Sequence, residues 1–555
     1  MSKKNYLEFY DYCVPETVRT PRLSVADLLQ IPANAYPDKA ATDFYGTEIT
    51  FWELRTLTLR MANALAKLGI EKGDRVGLHL PTCPQYPIAY YAVLSLGAIV
   101  VNLNPIYTND EIRGVAENVD MKALITSDVS LPIVREICKT VSIPIVIVTK
   151  VTDFIAGVGV STAKSLDLQE GWHHYSTILD NCTDTRRPRV DIHPNDPALI
   201  QFTGGTTGIP KGAILTHYNT LSSILRGFIW GTAAIMNIPP ERRHVLEVLP
   251  LFHVYGNVTM NWSMLSCTTQ IMVPRFDLEE LMGIMGRFKE ITYFPAVPTM
   301  LTAIINHPKV EALGLDKKIG FVNSGAAPMP VELIERIKDM GIYFSEGWGM
   351  TETCSVGIQC PTLGLKKVGS IGIPYPDTEV RLVNVEDEIT DVVQGEPGEI
   401  VIKGPMVMKG YWNNPEETAN QLRDGWLYTG DVAVQDEDGY IFIVDRKKDM
   451  IIAGGFNIYP REIDEVLHQH PKIAQAVAVG VHDAYRGETV KAFVVPQEGE
   501  TLTEKEVVDF CREKLVAYKV PKLVEFRDSL PQSAVGKVLR KVLRQEEEAK
   551  RKKKE

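Results

Sequence analysis

From Tyr86 to Leu103 the chain carries no charged side chain, a run about as long as a bilayer crossing requires. Pro87, Ser95, Gly97 and Asn102 interrupt it, and Gly97 divides a helix-like half from the β-branched Ile99-Val100-Val101. The segment therefore reads as a buried helix feeding a buried strand rather than as a span. Few architectures cover both elements on every side. The surrounding sequence repeats the pairing: a helical pattern from Trp52 to Leu68, a strand from Arg75 to Leu80, a helix ending near Leu96, a strand from Ala98 to Val101, a helix after Asn109 and a strand from Ala123 to Thr126. Such alternation predicts an α/β fold on doubly wound sheets, with ligands gathered at the carboxyl ends of the strands.

The loop best suited to that place is Thr203 to Lys211, reading TGGTTGIPK, after the apolar run that ends at Phe202. Gly204, Gly205 and Gly208 permit positive backbone dihedrals, which lets peptide N–H groups converge on an anion. Thr203, Thr206 and Thr207 add hydroxyl donors, and Lys211 adds a positive charge. The loop reads as a phosphate cradle. It is not a Walker loop, because Ile209 and Pro210 separate Gly208 from Lys211, and Gly212 follows where a Ser or Thr holds magnesium. A net charge of −11 over 555 residues speaks against nucleic acid or an anionic membrane as partner, so an anionic ligand must be met by local cations. Eight cysteines form no CxxC pair and are expected to stay reduced. The polar N-terminus lacks the apolar core of a secretory leader, and the expected location is cytoplasmic, with no transmembrane segment.

Past Gly395 the texture changes. Glu396-Pro397-Gly398, Asp424-Gly425 and Asp438-Gly439 separate short strands such as Glu399 to Lys403 and Tyr440 to Val444, which predicts a small β subdomain over about 370–445. Asp445-Arg446-Lys447-Lys448-Asp449 is a charged run that a compact core would not bury, and it reads as a linker. Residues 1–445 then form a large N-terminal domain and 450–555 a mobile α+β C-terminal domain. The latter should have helices near Glu462 to His468 and Glu504 to Lys514, strands near Ala476 to Val481 and Lys491 to Val495, and a solvated tail from Glu546 to Glu555.

These residues carry a resemblance. TGGTTGIPKG with Thr216-His217, LPLFHVYG from Leu249, SGAAP from Ser324, EGWGMTET from Glu346, GSIGIPYP from Gly369, YTGD ending at Asp431, DRKKDMIIAGGFNIYPREIDEVL from Asp445 and the late Gly536-Lys537 stand in order along the chain. Together they resemble the motifs of AMP-forming acyl-CoA synthetases, from the superfamily shared with luciferases and peptide-synthetase adenylation domains. The likeness spans about residue 40 to about 541.

The resemblance implies ATP, Mg2+ and coenzyme A as co-substrates and cofactor, and a small carboxylic acid as substrate. Lys211 and the loop would grip the β- and γ-phosphates, Thr351 would reach the α-phosphate, and Glu352 would hold magnesium. Gly325, Ala326 and Ala327 would lie along adenine, with Glu346, Gly347, Trp348 and Gly349 beside the same base. Asp431 would accept the ribose hydroxyls, which suits a two-oxygen acceptor, and Arg446 would approach the ribose. Lys537 would stand between carboxylate and α-phosphate during adenylation, then withdraw as the C-terminal domain swings about Lys448 and presents Gly454 and Gly455 to a pantetheine channel.

For the acid, Arg226 to Met236, His253 to Gly256 and Val297-Pro298-Thr299 would line the pocket, with Gly227, Gly231 and Gly256 leaving room and His253 beside the carboxylate. Asn257 takes the spacing at which some long-chain members carry a gating tryptophan. A medium- or long-chain fatty acid is the first reading. An aryl or alicyclic acid, a catalytically silent nucleotide- or acyl-binding protein, and a luciferase-type oxygenase are the alternatives. Asp528-Ser529-Leu530 lacks the Gly-Gly that would precede a carrier serine, so free CoA is the expected acceptor and a separate carrier protein the alternative. The oligomeric state stays open, a homodimer among the options.

Overall fold

The uncharged segment folds as read. Gln85–Ser95 is a helix with every residue buried, Gly97 turns the chain at φ +64°, and Ile99–Asn102 is a buried strand. The structure, a computed structural model, describes residues 5–155, 166–203, 210–327, 329–453, 456–483, 485–533 and 537–552.

Ile99–Asn102 pairs in parallel with Arg75–His79 and Pro197–Thr203 within a sheet of eight described strands. A second sheet, of nine, sets Tyr343–Trp348, Ile319–Ser324, Ile291–Ala296, His244–Glu247 and Thr269–Met272 side by side in parallel. The helix Gln85–Ser95 is covered all round because it lies against the helix Val254–Leu265, where the Tyr90 and Tyr91 hydroxyls donate to Asn257 (3.2 Å) and Asn261 (2.9 Å). One core runs through both sheets, joining Val76, Leu78 and Ile125 to Ala41, Phe44 and Met272. The α/β architecture expected from the alternation is present.

The phosphate-cradle segment is bracketed by a hairpin. Pro197–Thr203 pairs antiparallel with Lys211–Thr216, with Thr203 opposite Lys211. Thr216 then starts the helix His217–Ile235: its hydroxyl accepts the Asn219 N–H at 3.1 Å while the Asn219 side chain accepts the Thr216 N–H at 3.1 Å. That reciprocal cap fixes the direction of the helix that walls the cleft.

The strands Glu379–Val383, Gly398–Lys403, Leu422–Arg423, Trp426–Gln435 and Ile441–Arg446 form the β subdomain. Beyond it, Ile473–Asp483 and Gly487–Pro496 make a long antiparallel pair under the helices Pro460–His468 and Glu504–Lys514, with a core of their own. Two expectations are corrected here. The tail is a helix, Arg540–Lys552, because its charges pair across strands: Arg527 with Glu546 (2.6 Å), Lys491 with Glu547 (2.7 Å) and Lys550 with Glu525 (2.8 Å). The charged run is not wholly solvated either. Asp445 is 3% exposed, and its carboxylate accepts the N–H groups of Arg446 and Arg461, each at 2.7 Å. A buried charge is tolerated when donors surround it in this way. No described helix is long and apolar enough to cross a membrane.

Candidate active site

The carboxyl ends of the strands in both large sheets open into one cleft of about 2250 Å³, closed on the far side by the C-terminal domain. Thr203 and Lys211 line it, whereas Gly204, Gly205, Thr206, Thr207 and Gly208 lie outside the described residues. Lys211 forms an ion pair with Glu417. Thr351 lines the cleft beside Glu352, which is 6% exposed and accepts the Tyr411 hydroxyl at 2.7 Å. Burial pushes the Glu352 carboxyl up, while the Tyr411 hydrogen bond, Lys211 and Arg446 pull it back toward the ionised form. Among the described residues no three His, Cys, Asp or Glu side chains converge as a metal cage. A single cleft-lining carboxylate is of the kind that magnesium can use, since that ion keeps waters and phosphate oxygens as its other ligands.

The nucleoside side is preset by backbone. Ser324 ends a strand, and the chain then turns through Gly325 and Ala326, the latter at φ +67°, a left-handed conformation costly for alanine. A Cβ on Gly349 would stand 2.0 Å from the Ser355 carbonyl oxygen, so only glycine allows that crossing. Gly325, Ala326, Ala327, Glu346, Gly347, Trp348 and Gly349 all line the cleft. Glu346, nearly buried, is pushed up to about 7 by desolvation and accepts the Met329 N–H at 3.3 Å. The Trp348 indole is turned toward Asp431: its N–H donates to that carboxylate at 2.7 Å, while Arg446 meets the other Asp431 oxygen at 3.3 Å. Asp431 and Arg446 are partners across adjacent strands, so the acceptor and its cation are fixed together.

Lys537 reaches the cleft from the C-terminal domain. Its backbone closes a turn with Ser533, whose N–H donates to the Lys537 carbonyl at 2.8 Å. Burial pushes the ammonium down to about 7, with Arg446 and Lys448 acting the same way and Asp431 and Asp449 opposing. Three residues on, Arg540 pairs with Asp464 and lies 3.8 Å from Asp445 and 3.9 Å from Asp449. The linker is gripped from both sides. Lys447 pairs with Glu388 and, at 3.0 Å, with Glu399 of the β subdomain, while Arg544 donates to the Lys448 and Asp449 carbonyls at 2.8 Å each. Lys448 lines the cleft between these two grips. Gly454 and Gly455 lie outside the described residues.

The acid compartment is narrower than the sequence suggests. Gly227, Gly231, Ala234 and Ile235 present one face of the His217–Ile235 helix to the cleft, opposite Trp262, Tyr293 and Phe321. Nothing lies within 4 Å of a Cβ on Gly227, and one on Gly231 would meet the Trp262 ring at 3.8 Å. Arg226 is not part of this wall. It is 1% exposed and faces away, paired with Asp377 at 2.5 Å. Gly256 leaves no room for substrate, because its Cβ would stand 2.4 Å from the Pro250 carbonyl oxygen; it permits a backbone crossing. Of the Val297-Pro298-Thr299 set, Pro298 and Thr299 line the cleft, and Val297 is buried behind them. His253 caps the helix Val254–Leu265, its Nδ1 accepting the Tyr255 N–H at 3.2 Å, which leaves Nε2 as the protonated, donating nitrogen. Burial lowers its pKa to about 4, and Lys537 pushes the same way. Asn257 does not gate the cleft: it is 2% exposed and bound to Tyr90.

Tyr411, Arg461, Arg540 and Arg544 were not among the expected site residues. The spacing of Arg540 after Lys537 was the available signal, and it was outweighed by its resemblance to an ordinary surface cation. Tyr411 offers no local signal, since its partner is 59 residues away.

Comparison with known proteins agrees with this geometry. The AMP-binding enzyme family matches residues 29–412, and the AMP-binding enzyme C-terminal domain matches residues 462–537. A long-chain-fatty-acid–CoA ligase of Bacillus subtilis (strain 168) is 39% identical over 98% of this chain and 98% of its own. A feruloyl-CoA synthase of an Amycolatopsis species is 35% identical, covering 92% and 96%. In fold, the chain is similar to the anthranilate CoA ligase AuaEII solved with anthranoyl-AMP, at a TM-score of 0.85 and 24% identity, covering 96% and 98%. The family match and relatives that align along nearly the whole chain agree: this chain belongs to the AMP-binding enzymes, as an AMP-forming acyl-CoA synthetase.

Proposed function

We propose that the acid is a medium- or long-chain fatty acid, activated through an acyl-adenylate and passed to the thiol of coenzyme A. The observation that carries this is the trough along the His217–Ile235 helix, which is open at Gly227 and bounded by Trp262 at Gly231. A flexible alkyl chain fills such a trough by burying apolar area. The relatives named for long-chain fatty acids support the same assignment.

In this reading His253 donates to one carboxylate oxygen while the other attacks the α-phosphorus. The bond to the bridging oxygen breaks, and pyrophosphate leaves with its electron pair. Lys537 and Thr351 donate to the oxygens where charge grows, the type of contact worth most in such a step. Lys211 and the residues of the glycine-rich loop hold the β- and γ-phosphates, with Lys211 exchanging Glu417 for phosphate. Asp431 and Arg446 fix the ribose. Glu352 would hold magnesium, which when bound supplies charge neutralisation at the phosphates. In the second half, the C-terminal domain turns at Lys448, Lys537 leaves, and the thiol sulfur attacks the acyl carbon, expelling AMP and losing its proton to solvent. We divide the chain into 1–445, a 446–449 linker and 450–555, a reading supported by the grips on Lys447, Lys448 and Asp449. We place the enzyme in the cytoplasm, where its unpaired cysteines remain reduced.

A pyrophosphate-release assay over straight-chain acids from acetate to stearate and a set of aryl acids, with and without CoA, tests the reading. Release with medium or long chains, together with AMP and the thioester, is expected. Preference for aryl acids would overturn the substrate assignment, and release of ADP and orthophosphate would overturn the chemistry.

A further inference from the structure

The phosphate strand and the acid-binding segment belong to different sheets. Thr203 ends a strand of the eight-stranded sheet, whereas His253 follows His244–Glu247 of the nine-stranded one. The carboxylate must come within bonding reach of the α-phosphorus, so whatever fixes the spacing of the two sheets at this point sets the reacting geometry. The Thr82 hydroxyl bridges the sheets farther back, donating to the Leu249 carbonyl at 3.2 Å; nearest His253, the bridge is Gln201. The Gln201 amide nitrogen donates to the Phe252 carbonyl at 2.8 Å, one residue before His253 and, on its own strand, two before Thr203.

Gln201 is itself held. Its amide oxygen accepts the Asn102 amide N–H at 2.9 Å, from the neighbouring strand position. The Asn102 oxygen accepts the Tyr86 hydroxyl at 2.6 Å, and the Asn257 amide reaches the Tyr86 oxygen at 3.4 Å. Asn257 stands one turn beyond His253 on the helix that His253 caps. The chain of bonds thus begins at the backbone beside His253, crosses to the phosphate strand and returns to the His253 helix. Gln201 is 6% exposed, Asn102 and Asn257 2% each, and Tyr86 is fully buried. Gln201 and Asn102 border the cleft while Tyr86 and Asn257 lie behind them, and neutral groups bonded to one another at such low exposure favour one arrangement.

We propose that Gln201 is a positioning residue for adenylation, fixing His253 and the acid carboxylate against the phosphate strand, with Asn102 and Tyr86 holding it in register. In this role it acts through the backbone beside His253 and not on a reacting atom. The proposal rests on the site reading above, in which His253 meets the carboxylate.

The test is steady-state pyrophosphate release with the full chain, acid and ATP varied separately. Gln201→Leu removes the bridge, and Tyr86→Phe removes one hydroxyl behind it without changing shape. Expected for Gln201→Leu is an acid KM at least about fivefold higher with an ATP KM within about twofold, since small misplacements of a reacting group are costly. Tyr86→Phe should move the acid KM the same way and less. Gln201→Glu is the rescue: as a neutral buried acid it donates to Phe252 and accepts from Asn102, so the acid KM should return toward the parent value at low pH and rise again as the carboxyl ionises. Titratable groups facing this position are Tyr86, His253 and Lys537, and the same pH series on the parent enzyme subtracts their contribution. If the variants lose turnover with both KM values unchanged, or if acid and ATP KM rise together, Gln201 is a structural residue only and the proposal fails. If Gln201→Leu does not fold, Tyr86→Phe and Gln201→Glu decide by the same criterion. A parent enzyme that releases no pyrophosphate with any acid would instead remove the site reading.

Discussion

The two sides of this cleft are held by different physics. On the N-terminal side, Gln201, Asn102, Tyr86 and Asn257 are neutral, buried and bonded to one another. On the C-terminal side, Lys537 is carried by ion pairs: Arg540 with Asp464, Lys447 with Glu388 and Glu399, and Arg544 on the linker carbonyls. A buried neutral network pays fully for any broken bond. Lys447 and Arg544 are part-exposed, and such pairs exchange partners for water at modest cost, whereas the Arg540–Asp464 pair is largely buried within the C-terminal domain and would travel with it. Under the proposed function, the chain fixes where carboxylate and phosphate meet and leaves Lys537 able to come and go.

The contrast can be broken at its most sensitive point first. Lys537→Ala should slow adenylation by on the order of a hundredfold or more, the effect of losing one transition-state donor, while thioester formation from added acyl-adenylate persists; an equal fall in both half-reactions would contradict a mobile lysine. Lys448→Pro restricts φ at the linker, and should retain pyrophosphate release while thioester synthesis drops by on the order of tenfold or more. Normal overall turnover in that variant would remove the domain movement. Arg540→Gln leaves Asp464 and Asp445 without their cation, and a burst assay should show adenylation lowered by about tenfold, with the thioester step less affected.

The pH response sharpens the same comparison. Burial disfavours the Lys537 ammonium and pushes its pKa down to about 7. The protonated form is the donor, so kcat/KM, which reports free enzyme, should fall as pH rises through about 7, by at most about tenfold per unit. Lys537→Arg, which stays protonated, should flatten that limb whatever its absolute rate. The smallest effect is expected from Trp348→Phe, which removes the 2.7 Å bond to Asp431. Loss of one such bond, about 1 kcal/mol, should raise the ATP KM about fivefold.

What the sequence discloses and what it withholds divide along the same line. The first parallel strands were legible because each is an apolar run between helix signals, and Gly97 marks the turn that separates helix from strand. Gly227 and Gly256 look alike in sequence yet do opposite things: a Cβ on the first would meet nothing within 4 Å, whereas the second lets two backbones cross. Arg226 reads as a pocket residue by position, and only the fold shows Asp377, 151 residues away, drawing it to the other face. Asp445 and the Glu546 to Lys552 stretch read as solvated because their partners come from distant segments. Charge pairing across a fold has no local period to detect, whereas apolar periodicity does.

The helix Gln85–Ser95, set between the eight-stranded sheet and the helix Val254–Leu265, bears on how the molecule comes apart. Val76 and Met272 share one core around it, so the two large sheets should melt together, although the nine-stranded sheet keeps a further core around Leu246 and Phe294. The C-terminal domain has its own apolar centre around Ile463, Val490 and Val507. Calorimetry should therefore resolve it as a separate transition, and a transplanted C-terminal domain from a relative is tolerable where a transplanted half of the N-terminal region is not.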